Sequence, residues 1–487
     1  MTSTVSASGA FDEGSNDAVA ARHSAAAGAA AAHIDVDARA VERLAALVRI
    51  PTISRHPDGP GPRRDPEPFE RFIEALPTLY PRVHEQLTRE RVGEAALLYC
   101  WPGSDPDGAT TPTVLMAHYD VVPATDDGWT HPPFAAVITN SGPDGGDDAV
   151  MWGRGTIDDK GCAAAIFEAI DRLIAAGFTP QRDVLVSLGD DEEVTGRGAQ
   201  AVVALLRSRG IRPSLVLDEG GAIVSGAFPG VDEPYAVVGV TEKGITTLRL
   251  VVEHQGGHAA SPPPLAATER LARALLRLNR RPARARLDPT TRTMIATLGA
   301  RARQPLRSVF TRAGLFAPLL VRVFLRTSAE TRALVRTTRA VTELRAGHAA
   351  NALPERAEAT INMRIAPGTS VAEAVDEVRS AIRDEAVEID VLEPSEPSPV
   401  SPASGAGWDA IVQAVRDVHP NLLVTPYVMM QASDSRFFTT ISDHVYRFAP
   451  FRMSAAERAC LHAKDERIRL SAYLEGVRVY EALVRQR

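Results

Sequence analysis

The stretch DVLVSLGDDEEVTGRGA, residues 183–199, decides the fold. Asp183 to Leu188 make a short apolar run of the length a buried strand takes. It breaks off at Gly189 into four consecutive acids, Asp190, Asp191, Glu192 and Glu193. A helical pattern follows from Gly198 to Arg209. The same grammar recurs on both sides. TVLMA, residues 113–117, ends in His118-Tyr119-Asp120, and SLVL, residues 214–217, ends in Asp218-Glu219. A fourth motif, WGRGTIDDKG at residues 152–161, reads as a loop that delivers Asp158 and Asp159 to the start of a helix over Gly161–Ala176, with Gly177 as its C-cap. Strands alternating with helices in this way build a doubly wound α/β sheet, whose ligands sit beyond the carboxyl ends of the strands. Strand ends bearing acids and a histidine would meet at one edge, and the pattern predicts a metal site. Taken alone, each motif has a plainer meaning: four acids make a solvated turn, His118 a hydrogen-bonded imidazole, Asp158 a helix cap. Their joint placement favours the metal.

Composition narrows the classes. At 487 residues the chain exceeds what one core usually supports, which predicts two domains. A net charge of −7 disfavours nucleic acid as a partner. Only Cys100, Cys162 and Cys460 occur, too scattered for a disulfide framework or a cysteine zinc site, so a reducing, cytoplasmic setting is expected. Residues 1–33 are rich in Ala, Ser and Gly, lack the basic start and apolar core of a secretory signal, and read as a mobile tail. The longest later apolar run, Leu315 to Leu325, is broken by Pro318 and Arg322 and falls far short of a membrane span.

Residues 34–240 carry the alternation described above, beginning with a helix near Asp37–Val48 and a strand near Ala95–Tyr99. After Thr241 the texture changes to ITTLRLVVEH, a helix near Ala266–Leu278, the strand ATINMRI, a helix near Val371–Ala386 and the strand VEIDVL. Strand, helix, strand, strand, helix, strand predicts an inserted α+β, ferredoxin-like domain over 241–396. The Pro- and Ser-rich EPSEPSPVSPASG, Glu393 to Gly405, is the return linker, and 397–487 complete the first domain. Between 301 and 345 ten arginines surround the apolar LFAPLLVRVFL. This stretch is expected to form an amphipathic helix pair packed on the inserted domain, with a subunit interface or an apolar wall of a substrate pocket as the alternatives.

HYDVVP, WGRGTIDDKG, DDEEVTGRGA, LDEGG, GGHAASPP, NALPERAEATINMRI, SDSRFF, YRFAP and LHAKDE follow one another in an order that resembles the M20 family of metallopeptidases. The resemblance is strongest to its carboxypeptidase S (Gly-X carboxypeptidase) and N-fatty-acyl-amino-acid synthase/hydrolase branch, and it spans Asp37 to the C-terminus. It implies a catalytic domain of zinc-peptidase type with an inserted lid and dimerisation domain. The implied enzyme is an amidohydrolase or exopeptidase that cleaves a peptide or N-acyl amide bond next to a free α-carboxylate. Two Zn2+ per subunit are implied, with Co2+ or Mn2+ acceptable to the same donors. In that set Asp158 bridges, His118 and Asp218 hold one ion, and Glu193 and His462 hold the other. Asp120 is implied to orient His118, and Glu192 to act as general base and then general acid.

The resemblance also implies that His258, in GGHAAS, reaches across a homodimer to the oxyanion. Asn351 and Arg364 would contact the substrate, Arg364 being suited to bidentate capture of a carboxylate. The Asp158–Asp159 peptide is implied to be cis. The chain departs from the family at Gln431-Ala432-Ser433-Asp434, where Gly-Gly-Thr-Asp or Gly-Asn-Thr-Asp is common, and so alters the backbone approach to substrate. A deacylase of another biosynthetic N-acyl intermediate is the alternative, and a non-catalytic binding protein on the same scaffold ranks below it.

Overall fold

Val184–Gly189, the strand that leads into the four acids, is buried along its whole length, as is its neighbour Thr113–His118. Strands covered on both faces need apolar residues throughout rather than in alternation. VLVSLG and TVLMA supply them. The computed structural model describes residues 37–55, 63–143, 145 and 148–487, so the tail expected over 1–33 lies outside the described residues.

The two strands belong to an eight-stranded mixed sheet. Its order is Thr88–Val92, Ala96–Trp101, Val184–Gly189, Thr113–His118, Leu215–Val224, Val445–Met453, Tyr235–Glu242, Leu423–Met429. Thr113–His118 pairs in parallel with both Val184–Gly189 and Leu215–Val224, and His118 lies level with Gly189. The histidine and the acid turn therefore leave the sheet side by side. The helix Lys160–Ala175 packs behind them against Thr113–His118 and the last helix, Leu470–Arg485. Its first turn requires Gly161, since a Cβ there would stand 2.2 Å from the Thr156 carbonyl oxygen.

A second sheet has four strands, ordered Thr338–Arg345, Arg356–Ile365, Gly244–Glu253, Glu388–Ser395, antiparallel throughout. The helices Ala267–Arg280 and Val371–Ile382 pack with it around a separate core that includes Leu248, Ile361, Met363 and Val378.

The arginine-rich stretch divides between the two sheets: its end, Thr338–Arg345, is the edge strand of the small one, whereas its helices pack on the large one. Phe310, Leu320 and Phe324 of the stretch, with Met294, Ile295 and Leu298 just before it, join the core of the eight-stranded sheet, and the helix Pro289–Gly299 lies against Leu423–Met429. That strand is the last in its sheet, and covering a sheet edge removes an aggregation-prone surface. Each Leu or Phe buried there contributes about 1.5–3 kcal/mol. The segment predicted as one unit, 241–396, is thus interrupted by helices that belong to the other core. No helix among the described residues is long and apolar enough to cross a membrane.

Candidate metal centre

Asp158 stands between two imidazoles. Its Oδ1 lies 3.1 Å from His118 Nε2 and its Oδ2 lies 3.0 Å from His462 Nε2. Glu193 Oε2 is 3.0 Å from the same His462 nitrogen. Glu219 Oε1 is 3.8 Å and Glu192 Oε2 4.0 Å from His118 Nε2. Two groups of potential ligands result, His118 with Asp158 and Glu219, and Asp158 with Glu193 and His462. The Asp158–Asp159 peptide is cis, as the family resemblance implies. Asp158 does not cap the helix behind it; the N-cap position falls to Asp159, whose side chain makes no capping bond.

Asp218, expected beside His118, belongs to neither group. It is adjacent to Glu219 in Leu215–Val224, and neighbours in a strand point to opposite sides. Asp218 Oδ2 accepts the Ser435 N–H at 2.8 Å, while Glu219 turns toward His118. The strand was expected to stop at Leu217, but it runs on to Val224, and its pairing with Val445–Met453 slips between Asp218 and Gly221. Such irregular pairing beside a site re-aims side chains. Gly221 makes the close approach feasible, because a Cβ there would sit 2.0 Å from the Val237 carbonyl oxygen. The structure thus places Glu219, and not Asp218, in the group of potential ligands around His118.

Asp120 links the two halves of the cluster. His118 Nδ1 faces the Asp120 carbonyl oxygen at 3.0 Å and Asp120 Oδ1 at 3.3 Å, which leaves Nε2 for the centre. The Asp120 carboxylate also accepts the backbone N–H groups of Glu192 and Glu193, at 3.2 and 3.3 Å. Asp190 and Asp191 fix the turn itself. Arg64 donates to Asp190 and Arg63 to Asp191, whose two oxygens accept the N–H groups of Arg197 and Gly198 at the start of the helix Arg197–Ser208. Two acids of the run hold the turn, and the other two face the centre.

Glu466 has a role that the sequence did not single out. It is fully buried; Oε1 accepts the N–H groups of Gly155, Ile157 and Asp158, and Oε2 accepts from Arg154. It ties the loop that carries Asp158 to the segment that carries His462, whose backbone sits at a positive φ of 57°. Its position four residues beyond His462 in LHAKDE was the only signal available.

The crowding of carboxylates shows in their proton affinities. Burial pushes Glu193 up to about 7, with Asp158 adding to the rise and His462 and His118 opposing it. Burial also holds Glu192 well above the usual range against the pull of His118, with Asp434, Glu193 and Asp158 reinforcing it. Glu219 is raised by burial and then by Asp158 and Asp159. Hydrogen bonds to Asp158 and Glu193 raise His462 to about 10. Buried like charges this close are costly, and a cation among them relieves the cost. Glu193 Oε1 is buried without a hydrogen-bond partner, as an atom waiting for a cation would be. A donor set of imidazole and carboxylate without thiolate suits zinc and its neighbours.

His258 and Asn351 lie elsewhere, both exposed, on or next to the small ribbon that pairs Gly257–His258 with Ala352–Leu353. His258 Nδ1 accepts the Ala260 N–H at 3.0 Å, which leaves Nε2 to carry the proton. Arg364 is half-buried on Arg356–Ile365; burial and the nearby Arg436 lower its pKa, and Glu242 opposes them. None of the three belongs to the groups around Asp158.

Peptidase family M20/M25/M40 matches residues 114–486. A probable carboxypeptidase S-like 2 of Dictyostelium discoideum is 35% identical over 454 residues, covering 92% of this chain and 85% of its own. The N-fatty-acyl-amino acid synthase/hydrolase of Homo sapiens is 33% identical over 449 residues, covering 91% and 86%. Carboxypeptidase S of Saccharomyces cerevisiae is 30% identical over 496 residues, covering 91% and 83%. The fold is shared with the M20 family metallo-carboxypeptidase Sso-CP2 of Sulfolobus solfataricus, at a TM-score of 0.65 and 16% identity over 92% of this chain and 98% of that one. It is shared also with human carnosine dipeptidase 1, at a TM-score of 0.62 and 16% identity over 93% and 98%. The chain belongs to the M20 family of metal-dependent peptidases.

Proposed function

We propose that this M20 metallopeptidase uses two metal ions to hydrolyse a peptide or N-acyl amide bond beside a free α-carboxylate. The observation that carries the proposal is Asp158, one oxygen toward His118 and the other toward His462. In this assignment His118, Asp158 and Glu219 hold one Zn2+, and Asp158, Glu193 and His462 the other, with Co2+ or Mn2+ acceptable to the same donors. Such ions, when bound, polarise a carbonyl and acidify water.

The protein's own groups handle the proton and the substrate. Glu192 stands beside the cluster without belonging to either ligand group. It takes the proton of the attacking water and returns it to the leaving amine. Asp120 orients the His118 ring and anchors the Glu192 backbone. Arg364 binds the α-carboxylate of the departing amino acid and Asn351 a neighbouring part of the substrate. His258 stabilises the oxyanion from the other subunit of a homodimer. The unpaired edge strand Thr338–Arg345, with Val341 and Leu344 turned outward, supports such a dimer. Free Cys100, Cys162 and Cys460 fit a cytoplasmic enzyme.

The relatives point to dipeptides and N-acyl amino acids as the substrate classes. The test is hydrolysis of a panel pairing Gly-X dipeptides with short- and long-chain N-acyl amino acids, with and without chelator. Chelator-sensitive release of a free amino acid is expected. Absence of hydrolysis across the panel by zinc-loaded protein would reject the proposal.

A further inference from the structure

The helix Ala317–Thr327 is apolar on two faces. Its inner face seats Leu320 and Phe324, each 2% exposed, in the core of the large sheet. The outer face carries Leu319 and Val323, 48% and 46% exposed, and Leu315 in the preceding turn is 76% exposed. A helix whose outer side only meets water is polar there. Arginines flank this apolar line. Arg312, Arg322 and Arg326 are exposed, and among the described residues none of them has a carboxylate partner, whereas Arg301 and Arg303 pair with Glu233 and Asp232. From 301 to 336 the chain carries eight arginines against a single acid, Glu330, although its overall net charge is −7.

An exposed aliphatic line bordered by unpaired guanidinium groups fits one environment, the boundary between anionic headgroups and acyl chains. The aliphatic side chains enter the acyl boundary, and the long arginine stems let the charged ends stay among the headgroups. A second copy of this chain docked symmetrically on the same face would set these arginines against one another. We propose that the segment 312–326 is a membrane-surface docking site that binds the protein reversibly to anionic lipid bilayers. Just beyond this segment the chain is anchored by Lys243, which donates to the carbonyls of Ala333 and Arg336. The inference depends on this surface and not on which substrate is cleaved.

The test is co-flotation of the full-length protein with vesicles of phosphatidylcholine alone or of phosphatidylcholine with phosphatidylglycerol, at low and high salt. Binding is expected only with phosphatidylglycerol and is expected to weaken with salt. Arg322→Glu with Arg326→Glu, and separately Leu319→Glu with Val323→Glu, should each lower the partition coefficient by at least about tenfold. Both variants should keep the wild-type melting temperature and rate of hydrolysis in solution. No binding of the wild type, salt-insensitive binding to both vesicle types, or undiminished binding by both variants overturns the proposal. A fall in oligomeric state of Leu319→Glu with Val323→Glu, measured by light scattering without lipid, would overturn it in favour of an interface between copies.

Discussion

Asp120 Oδ1 accepts the backbone N–H of Glu192 at 3.2 Å, so one carboxylate both orients the His118 ring and places the residue assigned to proton transfer. Asp120→Ala should therefore damage both metal binding and turnover. A fall in metal affinity or in kcat/KM of about 10- to 100-fold is expected, measured by metal titration and steady-state kinetics. Unchanged values in both would mean that the ring and the acid turn hold themselves in place.

Glu219 and Asp218 are neighbours with opposite destinations, one toward His118 and the other bonded to Ser435. Purified Glu219→Ala should carry one zinc fewer per subunit than the wild type, whereas Asp218→Asn should keep the full complement, as read by elemental analysis after dialysis. The reverse pattern would restore Asp218 as the ligand.

Glu466 satisfies three backbone N–H groups and the buried Arg154 guanidinium. Removing one partner of a buried ion pair strands the other, so Glu466→Ala should destabilise the protein by about 3–5 kcal/mol in urea denaturation. A much smaller loss would place water or another acceptor beside Arg154.

Lys243 is nearly inaccessible, and burial depresses its pKa to about 8 from the ordinary 10.5, with Asp288 opposing the fall and Arg364 and Arg336 adding to it. Below pH 8 the charged form is buried at a cost. Between 8 and 10.5 the unfolded chain binds more protons than the folded one, so this residue's contribution to stability rises with pH. The stability of the wild type relative to Lys243→Met should increase across that window. A constant difference between the two proteins would contradict the depressed value.

The parts of the site that the sequence discloses are those where a buried strand or a short loop ends in a polar group. His118 after TVLMA, Glu193 after DVLVSLG and Asp158 in its loop are of this kind, and the structure sets them, with His462, around one point. The place of Glu219 beside His118 is not legible in the sequence, because pairing with Val445–Met453 slips next to it and no local pattern reveals that. That partner strand is itself hidden in sequence by Arg447. The guanidinium is buried in mid-sheet and becomes acceptable only because Glu242 on the next strand accepts its hydrogen bond at 2.7 Å. The inner and outer faces of Ala317–Thr327 are both apolar, so periodicity could identify a helix there but not the sheet it covers.

The central claim is that the protein brings a metal cluster and a separate proton carrier to one amide bond. Metal content and kcat of Glu192→Gln, measured on the same preparation, test it most directly. The account predicts a wild-type zinc content with kcat lowered by about 10²- to 10⁴-fold. A fully zinc-loaded Glu192→Gln that turns over at the wild-type rate would contradict it.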